Sequence, residues 1–230
     1  MQRGLIAAAL LCVAAAPAPK PQSLLTARDL DPALVLPPPP AAGSPQAAAE
    51  LVELRAFETR DAASEADARL DGDTKNATIF AVVLGPKFDL AHLPATAALM
   101  AIVRASEKDT VDRGKNHFRR ARPYVSDPTL KACKRNDDPL SSYPSGHTSM
   151  AFSMAETLAR LVPEKAEALL ARAARYGQSR IVCEQHFRSD VSAGQMLGLL
   201  IAERLMTKPS FRVAFDKAHR ELVSAGIAKR

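Results

Sequence analysis

A chain of 230 residues with 47% hydrophobic and 24% charged side chains is ordinary for a globular protein and long enough for one domain with a full core. An aromatic content of 5% with no Trp leaves that core to Ala, Leu, Val and Met. The net charge of +6 favours anionic substrates, but basic residues are interspersed with acids, which gives little support to a nucleic-acid binder.

The N-terminus reads as a targeting segment. Met1-Gln-Arg3 is a short positive start, and Gly4 to Ala16 is an apolar run too short to span a membrane comfortably. Small residues at Ala14, Ala16 and Ala18 offer cleavage sites, so residues 1–18 are read as a signal peptide and the protein as exported. Cys12 leaves with it, since Leu10-Leu11 is a poor lead-in to lipid attachment. Cys133 and Cys183 remain. In an oxidising compartment that even pair predicts a disulfide closing a loop, valued at roughly 4 kcal/mol by chain entropy; two buried free thiols are the alternative.

Residues 19–45 are Pro-rich and include Leu36-Pro-Pro-Pro-Pro40. They predict an extended arm on the surface or wrapped over the domain, although composition fits a disordered linker as well. From residue 46 to 230 the pattern is helical. Ser44 is a candidate cap for a helix from Gln46 that runs on through Leu70, until Asp71-Gly72 stops it. Ala77 to Leu84 reads as a buried helix ending at Gly85-Pro86. Pro94 opens a helix from Ala95 to about Asp112, with Leu99, Met100, Ile102 and Val103 as its core face. Further helices are predicted over Thr148–Arg160, Glu164–Tyr176, Gln178–Arg188, Ser189–Met206 and Ser210–Ser224. No long alternating pattern appears, so the fold is read as all-α, a single compact helical domain around a central pair.

Three clusters carry chemistry. In Lys115-Asn-His-Phe-Arg-Arg-Ala-Arg122-Pro123, the proline disfavours helical geometry at Arg122, so a helix should end there with the guanidinium free to turn toward a site. Lys115 offers a point charge and Arg122 a fork that matches phosphate oxygens, while Arg119 and Arg120 are read as a solvated basic face. The second cluster, Pro144-Ser-Gly-His147, is a turn opening a helix. A helix N-terminus is a natural anion seat, where Ser145 can donate its hydroxyl and Gly146 allows close backbone approach. His147 adds a group that exchanges protons near neutral pH. In the third, Ser179-Arg180 precedes His186 and Asp190, which are four apart and would face each other on a helix. The carboxylate can accept the Nδ1 proton and leave Nε2 nucleophilic, and Arg180 adds another guanidinium.

Taken together, Lys-x6-Arg-Pro, Pro-Ser-Gly-His and Ser-Arg-x5-His-x3-Asp resemble the signature of the phosphatidic acid phosphatase type 2 superfamily, with every defining position filled. The chain is most similar to its bacterial class A non-specific acid phosphatases, from about residue 30 to about residue 206. The resemblance implies a periplasmic or secreted all-helical enzyme hydrolysing phosphomonoesters such as nucleotides, sugar phosphates and aryl phosphates. It implies no metal or other cofactor, an acidic optimum, phosphoryl transfer to alcohols as a side activity, and a homo-oligomer without stable membrane insertion. His186 would form a phosphohistidine, Asp190 would orient its ring, and His147 would protonate the leaving group. Lys115, Arg122, Ser145, Gly146 and Arg180 would bind the phosphoryl oxygens.

Two positions depart from the class A pattern: Ser141 where Gly is usual and Phe187 where Trp is usual. Neither is expected to touch a reacting group, so they bear on substrate preference. The competing readings are a vanadate-dependent haloperoxidase using the same pocket, a non-catalytic phosphate-ester-binding module, and, more weakly, a metallohydrolase without the His-Glu-x-x-His pattern. An integral-membrane lipid phosphatase would need apolar spans that the chain lacks.

Overall fold

In the computed structural model, residues 21–135 and 138–229 are described, and the signal-peptide reading of residues 1–18 lies outside them. Helix α7 (Gly146–Leu161) buries Met150, Phe152, Met154, Leu158 and Leu161 together and so becomes the axis of the domain. Helices α8 (Ala166–Val182) and α9 (Arg188–Met206) pack along it. On α9 the small residues Gly194 and Gly198 set the approach. A Cβ on either would stand 2.6 Å from a backbone carbonyl of the α7 segment, Ser145 or Ser149. Ser149 Oγ donates to Gly194 O (3.0 Å) and Ser145 N–H to Asp190 O (3.0 Å), which holds the first turns of α7 and α9 side by side.

Helix α5 (Pro94–Phe118) and helix α10 (Pro209–Ser224) close the core. Leu93, before α5, has no capping side chain. The Glu221 carboxylate of α10 fills that role, accepting from Ala95 N–H, Thr96 N–H and Thr96 Oγ at 2.7–2.9 Å. Ahead of α5, residues 21–44 lie against this body with Leu25, Leu30 and Leu36 buried and a single turn of helix, α1 (Pro32–Val35). Tyr143 Oη donates to Pro37 O (2.5 Å). Ser44 does cap helix α2 (Pro45–Arg55), and Ala77–Leu84 is helical as a 3-10 turn followed by α4 (Ala81–Leu84). Among the described residues no strand occurs, the fold is all-α, and no helix is long and apolar enough to cross a membrane.

Three boundaries differ from the sequence reading. The helix expected from Gln46 to Leu70 is broken between α2 and α3 (Ala62–Asp73). Arg60 turns inward there to Glu184 (2.7 Å) and Lys131 O (2.6 Å), and Asp61 restarts the helix by capping Ser64 N–H. Helix α5 continues past Asp112 to Phe118, ending at Arg119 in the left-handed region rather than at Arg122. Gly114 lies within it, where a Cβ would stand 3.0 Å from Pro144 Cδ and 3.1 Å from Pro32 Cβ. The expected Gln178–Arg188 helix does not exist as a unit: Gln178–Val182 is the end of α8, and residues 183–187 form a turn with Glu184 at φ 52°.

That turn is pinned. Cys133 and Cys183 form a disulfide, and Cys133 N–H donates to Cys183 O (3.0 Å). His186 therefore leaves the chain from a tethered turn immediately before α9.

Candidate active site

The ends of α5, α7, α8 and α9 meet where the three sequence clusters converge. Asp190, in the first turn of α9, is fully buried and has every oxygen engaged. Its Oδ2 accepts from Phe187 N–H (2.8 Å) and Ser142 Oγ (2.6 Å), and its Oδ1 accepts from Arg120 Nη1 (2.7 Å). Arg120 also reaches Glu50 (2.8 Å) and Ser189 Oγ (2.7 Å) and lies over the Phe187 ring, 4.1 Å from its centroid. Reading Arg120 as a solvated face was thus incorrect: helix α5 ends early enough to turn it inward. Arg119 is exposed, as expected. Phe187 is a packing residue, buried with Leu54, Leu130, Ile181 and Val191.

His186 is 1% exposed, with Nδ1 3.4 Å from Asp190 Oδ2. The two do not share a helix face. Asp190 sits in the helix and His186 before it, so the pairing comes from the turn and not from helical spacing. Arg122 Nη1 lies 3.0 Å from His186 Nε2 and also donates to Gln185 O (2.9 Å). A guanidinium only donates, so Nε2 must be the accepting nitrogen and the ring proton belongs on Nδ1. Burial, followed by the charges of Arg122, Arg180 and Lys115, pushes the His186 pKa well below its ordinary value, and the ring is neutral. Arg122 is held from its other end by Ser141 Oγ (3.1 Å), which donates in turn to Asp138 O (2.8 Å). The Ser141 departure therefore touches the site, contrary to expectation.

Two further cations differ from Arg122 and Arg120. Arg180, 5% exposed, and the mostly buried Lys115 have no side-chain hydrogen bond or ion pair among the described residues, and Arg180 Nε is buried without a partner. Burial lowers their pKa values to about 10 and about 8 respectively, still high enough for both to be charged in acid and at neutrality. Charges stripped of water and left unpaired are costly, and an anion entering between them would offset that cost. Gly146 opens α7 with its free side toward Lys115: a Cβ there would be 3.5 Å from Nζ. Ser145 is the N-cap, fully buried, its oxygen accepting from Thr148 Oγ1 (2.9 Å). Glu107 is buried beside them with Oε1 unpartnered, and burial raises its pKa to about 7.

His147 contributes from the first turn of α7. Its Nε2 is 2.9 Å from Gly72 O on α3, and since a carbonyl only accepts, Nε2 carries a proton and Nδ1 is the nitrogen available for exchange. Burial, then Arg180, pushes its pKa well below the ordinary value. Gly72 does a second thing: a Cβ on it would lie 2.5 Å from Arg180 Nη1. Sequence reading took Gly72 only as a helix stop. A backbone carbonyl leaves no side-chain signature, so nothing in the pattern could have identified it. The His147, Arg122 and Arg180 side chains line a cavity of about 280 Å³, and His147, Lys115 and Gly146 line a neighbouring one of about 240 Å³. Among the described residues no cluster of three or more His, Cys, Asp or Glu could hold a metal ion.

The profile of the PAP2 superfamily matches residues 90–213, a span containing Lys115 through Asp190. The chain is 36% identical over 203 residues to an acid phosphatase of Zymomonas mobilis subsp. mobilis, covering 85% of this chain and 76% of that one. It is 32% identical over 168 residues to a non-specific acid phosphatase of Salmonella typhi, covering 71% and 66%. A non-specific acid phosphatase of Providencia stuartii is 30% identical over 208 residues, covering 86% and 83%.

Proposed function

The chain belongs to the PAP2 superfamily and is an acid phosphatase, and from that premise we propose that it hydrolyses phosphate monoesters through a phosphohistidine at His186. The observation that carries this mechanism is the pair of unpartnered cations, Lys115 and Arg180, beside a neutral buried imidazole. An incoming phosphoryl group takes their charge and draws the Arg122 guanidinium off His186 Nε2. Gly146 N–H and the Ser145 hydroxyl, at the positive end of α7, complete the grip.

His186 Nε2 then attacks phosphorus in line. The N–P bond forms as the ester P–O bond breaks, and the positive charge that develops on the ring is held by Asp190 behind Nδ1. Lys115, Arg122 and Arg180 stabilise the equatorial oxygens, so the chain's own cations supply the electrostatics. His147 protonates the leaving oxygen from Nδ1. Burial and Arg180 disfavour its charged form, but a bound phosphate ester neutralises Arg180 and reverses the sign of the local field. In the second half His147 takes a proton from water, the hydroxide attacks phosphorus, and phosphate leaves with His186 restored. An alcohol in place of that water would give phosphoryl transfer. An acidic working range suits the groups involved, since His186 stays neutral in acid and Glu107 loses its negative charge below about pH 7.

We place the protein outside the cytoplasm, in the periplasm or medium, on the leader-like residues 1–18 together with the Cys133–Cys183 disulfide, which persists in oxidising compartments. Steady-state phosphate release from an aryl phosphate, with and without a chelator, tests the reaction. We expect equal rates in both and a loss of at least about a thousandfold in His186→Ala. Retention of full activity by that variant would remove His186 from the chemistry.

A further inference from the structure

We propose that the mouth of the catalytic cavity is a second anion site, built from Lys75 and Lys134, that selects substrates carrying a second phosphoryl group beyond the ester being cleaved. This rests on the phosphatase reading above, because the inner seat is taken to hold the first phosphoryl group. The cavity of about 280 Å³ is lined by the five cations Arg69, Lys75, Arg122, Lys134 and Arg180 against the single carboxylate of Asp73. Arg122 and Arg180 belong to the inner seat. Arg69 is already engaged, ion-paired with Glu65 (2.6 Å) and donating to Cys133 O (2.6 Å). Lys75 and Lys134 are exposed and have no side-chain hydrogen bond or ion pair among the described residues.

Neither lysine hangs on a loose loop. Lys134 follows the disulfide half Cys133, whose N–H is bonded to Cys183 O, and its own carbonyl accepts the Gln185 side-chain amide. Lys75 sits between Thr74, whose carbonyl accepts Tyr176 Oη (2.8 Å), and Asn76, which caps the 3-10 turn. Lys75 also lines both cavities, as His147 does, which puts it where the leaving group must pass. A single phosphate ester carries at most two negative charges, which Lys115, Arg122 and Arg180 already answer. Two more fixed cations at the same mouth repel those three unless another anion accompanies them. Lys75 lies outside the span matched by the family profile, and Lys134 lies within it.

Calorimetry with methylenediphosphonate and methylphosphonate, neither of which can be hydrolysed, reads the site without turnover. The wild type should bind the diphosphonate about tenfold more tightly than the monophosphonate, the combined effect of two exposed charges. The Lys75→Ala/Lys134→Ala double variant should bind the two equally, with affinity for methylphosphonate changed less than about twofold. Kinetics give a parallel arm. The kcat/KM ratio of fructose 1,6-bisphosphate to fructose 6-phosphate should exceed the statistical value of about two in the wild type and return to it in the double variant. Equal binding of both phosphonates by the wild type would overturn the proposal, as would a double variant that weakens both alike, since that is general attraction. A chain that discriminates the phosphonates yet releases no phosphate from either sugar would keep the site and lose the reaction.

Discussion

Arg120 and Arg180 serve the same histidine and are both nearly buried, yet they are opposites. Arg120 is committed to Asp190, Glu50 and Ser189 and lies over the Phe187 ring; the Arg180 guanidinium has no hydrogen-bond partner among the described residues. The difference shows how a buried charge declares its purpose. One whose donors are all met holds the scaffold still, whereas one left unmet at a cavity is waiting for a ligand.

Alanine variants at the two positions would break that comparison most sharply. Arg180→Ala should lower kcat/KM by about a hundredfold to a thousandfold, the loss typical of one transition-state donor. Its melting temperature should hold or rise, because an unpaired buried cation is removed. Arg120→Ala leaves Glu50 and Asp190 facing each other without their cation, so it should cost about 3–5 kcal/mol of stability and lower the melting temperature by about 10 °C. Thermal melts set beside initial rates check both. A destabilised Arg180→Ala with intact activity would exchange the assigned roles.

Gly72→Ala tests the α3 side of the site. Its Cβ would intrude on Arg180 Nη1, the far end of a flexible side chain, so the fold should tolerate it while the guanidinium is displaced. A loss of about tenfold in kcat/KM with little change in melting temperature is expected.

Charge state provides a gentler probe. Lys115 is charged below its lowered pKa of about 8, so the anion grip proposed for it is complete in acid and is lost as pH rises through that value. The affinity for methylphosphonate, read by calorimetry, should therefore fall as pH rises through about 8, and Lys115→Arg should move that fall upward. On the acid side activity should persist well below pH 6.5, because His186 resists protonation. The smallest effect is expected from Ser141→Gly, which frees one end of Arg122 and should cost about threefold in kcat/KM through one neutral-to-charged hydrogen bond at a partly compensated position.

These residues also mark how far the sequence could be read. The all-α class and the three clusters were legible because helical composition and motif spacing are local properties. Ser44, Gly85 and Pro94 announced their helix ends for the same reason. What escaped was set by distant partners. The break at Arg60 depends on Glu184, 124 residues away, and the inward turn of Arg120 depends on Asp190, 70 residues away. The His186–Asp190 pair was found, although the helical geometry assigned to it was wrong, since a spacing of four is met equally by a turn feeding a helix. Gly72 was invisible as a site residue because it acts through its carbonyl and its missing Cβ. Ser141 looked neutral until the Arg122 fork was seen resting on it.

The central claim is that His186 Nε2 forms a bond to phosphorus. The most direct measurement is a rapid alkaline quench of the wild-type enzyme turning over a 32P-labelled monoester, followed by peptide mapping, alkali being chosen because phosphohistidine survives it. The account predicts label on the peptide containing His186, present during turnover and absent from His186→Ala. Turnover without any protein-bound label, or label on a peptide containing His147 instead, would contradict it.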